Sequence, residues 1–139
     1  MKNSGGFTLV ELIIVLAIVA IIGAILIPNF LNTTDRARLR SDIQSARVLQ
    51  NALDLHNIEQ TDQITSTGEL IARLDERGYI DERRVTVQTP GAEFVLGADG
   101  VVRLNIAGVS NQNVTSTLFG QLSPQEREHV VGGQATTVD

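Results

Sequence analysis

The stretch GGFTLVELIIVLAIVAIIGAILIPNFL, residues 5–31, decides how the rest of this chain is read. From Leu12 to Leu31 it holds twenty consecutive residues without a charge. As a helix these would measure about 30 Å, the thickness of a bilayer's hydrocarbon core. A cleavable secretory signal is a poorer fit, because its apolar region is about 7–15 residues long and ends in small residues. This run ends instead in Ala24, Ile25, Leu26, Ile27 and Pro28.

Four features set it apart from an ordinary anchor: Gly5-Gly6 before the run, Phe7 opening it, Glu11 inside it and Pro28 near its end. A carboxylate at the centre of a spanning helix costs about 2.5–3.5 kcal/mol, and less near an end, so Glu11 asks for a cation. Lys2 precedes the run, and the next basic residue is Arg36, nearly ~40 Å further along a helix. No side chain in the segment supplies the charge. One solution is an amino terminus created by cleavage just before Phe7, which would bring an ammonium to the depth of Glu11.

Composition narrows the rest. The chain has 139 residues, enough for one soluble domain beyond the apolar segment, and its 11 basic against 16 acidic residues give a net charge of −5. That balance argues against a surface built to neutralise phosphates. No cysteine is present, so disulfides, thiolate nucleophiles and cysteine-ligated zinc are ruled out. Aromatic residues make 4% of the chain, so the core is expected to be aliphatic.

Moving outward, Ala17, Ala20, Gly23 and Ala24 offer small residues at helical spacing, a pattern that lets membrane helices approach closely. Gly23 and Pro28 together predict a kinked or loosened helix, since Pro28 cannot donate a backbone hydrogen bond. Beyond Pro28, Leu39, Ile43, Ala46, Leu49 or Gln50, and Leu53 form one apolar stripe, so the segment to about Ile58 reads as an amphipathic helix. Arg36, Arg38, Arg40, Asp42, Arg47 and Asp54 take positions off that stripe, and the basic trio Arg36, Arg38 and Arg40 reads either as a solvated flank or as a contact for lipid phosphates, DNA or the acidic faces of neighbouring subunits. A loop covers Glu59 to Thr67, and Ser66-Thr67-Gly68-Glu69 predicts a capping box for a short helix that stops at Gly78. Arg84–Thr89, Glu93–Gly97 and Val101–Ile106 read as three antiparallel strands, the last two joined by a turn at Gly97-Ala98-Asp99-Gly100. Ser123-Pro124-Gln125-Glu126 is a second capping box, opening a helix of one to two turns before Gly132-Gly133.

Catalytic patterns are missing. His56 and His129 have no carboxylates at ligand spacing and are expected at the surface, and no GxSxG, P-loop or GxGxxG occurs. Neither an enzyme nor a cofactor or metal site is expected. Asn32 and Asn113 open short glycosylation sequons of a kind that arises often by chance.

The run Gly6-Phe7-Thr8-Leu9-Val10-Glu11, after a leader carrying Lys2 and before a long aliphatic helix with Pro28, resembles the class III signal of type IV pilins and pseudopilins. The resemblance covers about the first 30 residues by motif and the remainder in layout. It implies an α+β pilin fold, a long N-terminal helix packed on a small antiparallel sheet. It further implies a leader of residues 1–6, a membrane or filament-core helix over 7–31 and a head over 32–139. Under it a prepilin peptidase cuts between Gly6 and Phe7 and methylates the new amine of Phe7, and Glu11 directs assembly. The subunit passes from the inner membrane into a pilus on a prokaryotic cell surface. Its partners are then its own copies, the peptidase, the assembly machinery and, before assembly, inner-membrane lipid. Nucleic acid would be met only through an assembled pilus.

A count of basic residues about the span, Lys2 before and Arg36, Arg38 and Arg40 after, would place the carboxyl-terminal side in the cytoplasm. The resemblance implies the reverse, because the leader must reach a peptidase on the cytoplasmic face. Two alternatives stand beside the pilin: a pseudopilin of type II secretion, and a monomeric membrane-anchored binding protein. The pseudopilin is disfavoured because Gln125 to Asp139 lacks the acidic calcium loop its major subunits usually carry.

Overall fold

The computed structural model describes residues 6–134, without the side chains at positions 28 and 29. It divides into two units, residues 1–34 and 35–139, and helix α1 (Leu9–Glu59) contributes to both. In the first unit α1 is apolar on all sides, and its Leu, Ile and Val side chains from Leu9 to Leu31 are exposed. A helix apolar all round is one that lipid or other protein normally covers, and α1 contains a window long and apolar enough to cross a membrane.

The second unit is built on the other half of α1. Leu39, Ile43, Ala46, Leu49 and Leu53 are buried, as their spacing predicts, in one core with Leu70, Leu74, Phe94, Leu104 and Ile106. Helix α2 (Thr67–Glu76) buries Leu70 and Leu74. It ends where Gly78 takes φ +78°, a conformation that only glycine adopts at little cost. Strands β1 (Glu93–Leu96) and β2 (Val102–Asn105) pair antiparallel with Phe94 opposite Leu104. The turn between them is closed by Gly97 N–H donating to Val101 O at 2.9 Å and Gly100 N–H to Gly97 O at 2.9 Å. A π-helical turn spans Asn113–Leu118, and helix α3 (Pro124–Arg127) precedes strand β3 (Val130–Val131).

The α+β architecture, a long helix packed with a small sheet, is as expected, but the sheet itself is not wholly antiparallel. Its order is β1-β2-β3, and β3 runs parallel to β2 with Leu104 opposite Val130. The third strand comes from Val130–Val131, where no strand was expected, and the segment expected as a strand, Arg84–Thr89, forms none. Asp42 gives the reason. It is fully buried on α1, and its two carboxylate oxygens accept the backbone N–H groups of Gln88 and Thr89 at 2.7 Å each. Those donors are therefore unavailable to a ladder, and just upstream Glu82–Arg84 is a 3₁₀ turn started by Asp81, which accepts from Arg83 N–H. Loop packing is tight nearby: Gly91, at φ +85°, lies so close to Gly108 that a Cβ on it would sit 2.5 Å from the Gly108 carbonyl oxygen.

Three further expectations change. Asp42 is a core residue rather than a flank of α1. Ser66 caps α2 by position, without a side-chain hydrogen bond, and Glu69 reaches forward to Arg73 at 3.6 Å. His56 is buried, not superficial, and meets the ring of Tyr79 edge-on at 5.7 Å between centroids.

Candidate functional site

The start of α1 collects the residues to which the sequence assigned processing and assembly. Gly6, Phe7 and Thr8 precede the helix in non-helical backbone, and Phe7 is 85% exposed. A Cβ built on Gly6 would meet nothing within 4 Å, and Gly6 does not take a positive φ. Among the described residues neither packing nor backbone conformation calls for glycine there. The Gly6–Phe7 bond thus lies in exposed backbone outside any helix, the condition in which a protease can reach it.

Thr8 is the N-cap of α1. Its N–H and its hydroxyl both donate to Glu11 Oε2 at 3.0 Å, and Glu11 N–H donates to Thr8 Oγ1 at 3.3 Å. This is a reciprocal capping box, which satisfies donors that a helix start would otherwise leave open. The signal for it, Thr8-x-x-Glu11, stands in the sequence, and the cap is a use of Glu11 beyond the need for a cation. Among the described residues Glu11 has no ion-pair partner. The cap uses Glu11 as a hydrogen-bond acceptor, a role that its charge does not require, so the box alone leaves the charge unexplained.

Further along, a Cβ on Gly23 would meet nothing within 4 Å, so this helix-interior glycine has no packing reason within the chain. Gly in such a place costs about 1 kcal/mol relative to Ala. The helical assignment continues unbroken through positions 23–28, and the Pro28 side chain lies outside the described residues. Lys2 and the rest of residues 1–5 also lie outside them.

On the second unit, the three arginines following the apolar run are tied to their own chain. Arg36 donates to Gln121 Oε1, Arg38 lies 3.7 Å from Asp35, and Arg40 lies 3.6 Å from Glu126. Glu126 closes the α3 capping box, and the Ser123 N–H it accepts holds its carboxyl below the usual range, with Arg40 and Arg47 adding smaller attractions. In the β1–β2 turn Arg103 bonds both oxygens of Asp99, at 2.9 and 2.5 Å, which pulls the Asp99 carboxyl down to about 2 with help from Val101 N–H. Tyr79 donates to Glu59 at 2.5 Å, and that bond raises the phenol above its ordinary value. Neither ring nitrogen of His56 meets a hydrogen-bond partner among the described residues. No group of His, Asp and Glu among the described residues is arranged to hold a metal ion.

Residues 1–27 match the family model described as the prokaryotic N-terminal methylation motif. The chain is 42% identical over 67 residues to the type IV wide pilus major component PilA4 of Thermus thermophilus, a match that covers 48% of this chain and 49% of that protein. It is 25% identical over 118 residues to the type II secretion system core protein G of Escherichia coli, covering 74% of this chain and 80% of that one. A prepilin peptidase-dependent protein A of Clostridium perfringens is 41% identical over 54 residues, or 39% of each chain. The chain thus spans about half the length of the first of these relatives. No solved structure matches it.

Proposed function

We propose that this chain, similar to type IV pilins and to core proteins of type II secretion, is a structural subunit processed at its N-terminus and polymerised into a filament. A prepilin peptidase cuts between Gly6 and Phe7 and methylates the amine of Phe7. The helix over residues 7–31 holds the subunit in the inner membrane and then enters the filament, which emerges as a pilus on the cell surface. Gly23 and Pro28 give that helix the looseness to repack on leaving the bilayer. One observation carries this reading: exposed, unpacked backbone at Gly6–Phe7 leads into an exposed apolar segment, residues 9–31, whose one carboxylate, Glu11, is capped but meets no cation among the described residues. The new amine of Phe7 on a neighbouring copy would supply that cation.

The cap supplies a sharper test than removal of the side chain. Glu11→Gln keeps an oxygen to accept from Thr8 and loses the charge, whereas Glu11→Ala loses both. Expressed alone in a piliated host, Glu11→Gln should reach the membrane and be cut as the parent is, yet yield at least about tenfold fewer sheared filaments. Normal filament yield from the Gln variant would remove the charge from the mechanism. Mass spectrometry of the mature chain should find methylated Phe7 first, and a chain still beginning at Met1 would sink the reading as a whole.

A pseudopilin of type II secretion is the second reading, favoured by the match that covers 80% of the Escherichia coli core protein G. Deletion of the gene would then stop export of folded proteins and leave surface pili untouched.

A further inference from the structure

The half of α1 in the second unit carries an exposed ridge opposite its buried stripe, at positions 37, 41, 44, 48, 51, 55 and 58. Its first part is small or polar: Ala37, Ser41 and Gln44. Its later part carries three apolar side chains, Val48 44%, Leu55 46% and Ile58 82% exposed, on one face with the polar Asn51 between the first two. Nothing in the described unit covers them.

Charge divides along the same helix. Between positions 35 and 47 four arginines face two aspartates, and one of these, Asp42, is buried and bonded to backbone. Between positions 54 and 77 six carboxylates face two arginines. The second cluster gathers about the C-terminal end of α1, since Tyr79 bonds Glu59 and Arg77 bonds Gln60 at 3.2 Å. At the first cluster the guanidiniums stay accessible although paired: the side chains of Arg38 and Arg40 are 46% and 55% exposed, against 20% and 22% for their partners Asp35 and Glu126.

We propose that these two ends dock on each other between copies: the arginine end of one copy seats on the Val48–Leu55–Ile58 ridge of the next, with Arg38 directed to Asp54 and Glu59. This inference rests on the polymerisation reading above and names the surface by which heads meet. The occupant is a second copy because this chain itself carries both complementary patches. Arg38 and Glu59 are about 30 Å apart along α1, so no copy satisfies its own pair. Two separate patches make a heterologous contact, which propagates instead of closing as a dimer does. Arginine suits the surface chemically, since its methylene stem covers apolar side chains while its guanidinium reaches carboxylates.

The chain has no cysteine, so introduced thiols can be read without background. In the full-length chain, Arg38→Cys combined with Ile58→Cys should give a ladder of covalent multimers when sheared filaments are oxidised, and neither single variant should. Arg38→Asp or Asp54→Arg alone should lower filament yield about tenfold, and the two together should restore it to within about twofold of the parent. Detergent-solubilised variants that melt within a few degrees of the parent would exclude misfolding as the cause. Parent filaments that form while the thiol pair gives no ladder overturn the docking alone, as does crosslinking only to a different protein. So do single variants that crosslink to dimers as fully as the pair crosslinks, or charge variants that assemble normally. A parent chain that forms no filaments overturns the polymerisation reading, and the docking falls with it.

Discussion

At the scale of single residues, Asp42 shows how one carboxylate can replace a strand. Its two oxygens take the N–H group of Gln88, at the edge of the core, and that of Thr89, buried in it, so the connection across 85–89 is held to α1 by side chain instead of by a ladder. Removing an acceptor strands both donors, and each buried unsatisfied group costs about 1–3 kcal/mol. Asp42→Ala should therefore lose about 3 kcal/mol or more in urea unfolding of the detergent-solubilised chain. Asp42→Asn should lose nearly as much, because an amide presents one oxygen and points its NH₂ at the other donor. This residue was illegible in the sequence. A carboxylate beside Ile43 on a helix otherwise flanked by arginines reads as solvated, and its partners lie more than forty positions away. His56 misled in the same way, since a lone histidine gives no sign of an aromatic edge at Tyr79. Asp99 behaves differently because its partners are near in sequence. With its carboxyl at about 2, against an ordinary value of 3.8, its contribution to stability is fully present above about pH 4 and is lost as pH falls through about 2. In Asp99→Asn the melting temperature should fall less between pH 4 and pH 2 than in the parent, by a small margin because the pair is exposed.

At the scale of elements, two capping boxes written in similar letters came to different ends. Ser123 and Glu126 exchange both bonds at the start of α3, helped by Pro124 at the first helical position. Ser66 and Glu69 do not, and the Glu69 carboxylate faces Arg73, one turn on. The α3 box matters beyond its single turn, because His129 and Val131, directly after α3, accept from Leu104 and Ile106 at 2.7 and 2.9 Å and so fix β3 to the sheet. Ser123→Ala should cost about 1 kcal/mol. It should also speed amide exchange at Leu104 and Ile106, which hydrogen-exchange NMR or mass spectrometry would detect. Elements specified by local chemistry were legible: the stripe from Leu39 to Leu53, the stop at Gly78, the hairpin turn and the start of α3. β3 was not, because two valines are too short a run to show periodicity, and a parallel pairing depends on a partner strand 26 positions earlier. The Thr8–Glu11 box is legible too, since Thr and Glu three apart at the head of an apolar run are its sequence pattern, but a carboxylate in such a run signals an ion pair equally well.

At the scale of the whole chain, the two units place opposite demands on their surroundings. The second has its own aliphatic core and a polar surface, and the first exposes a helix that water does not tolerate over such a length. A helix so apolar calls for a cover of lipid or protein over residues 9–31, and in the proposed function bilayer and filament perform that same physical service in turn. The start of that helix bears on how the proposed subunit would pass between them. All three bonds of the cap are made by Thr8 and Glu11, on the far side of the Gly6–Phe7 bond from the leader. Under the proposed processing, hydrolysis there would leave every one of them in place, so none of the cap bonds seen among the described residues would be lost. Such a cut would be structurally silent and chemically loud: one peptide bond exchanged for a carboxylate on the leader and an ammonium on a helix start already capped.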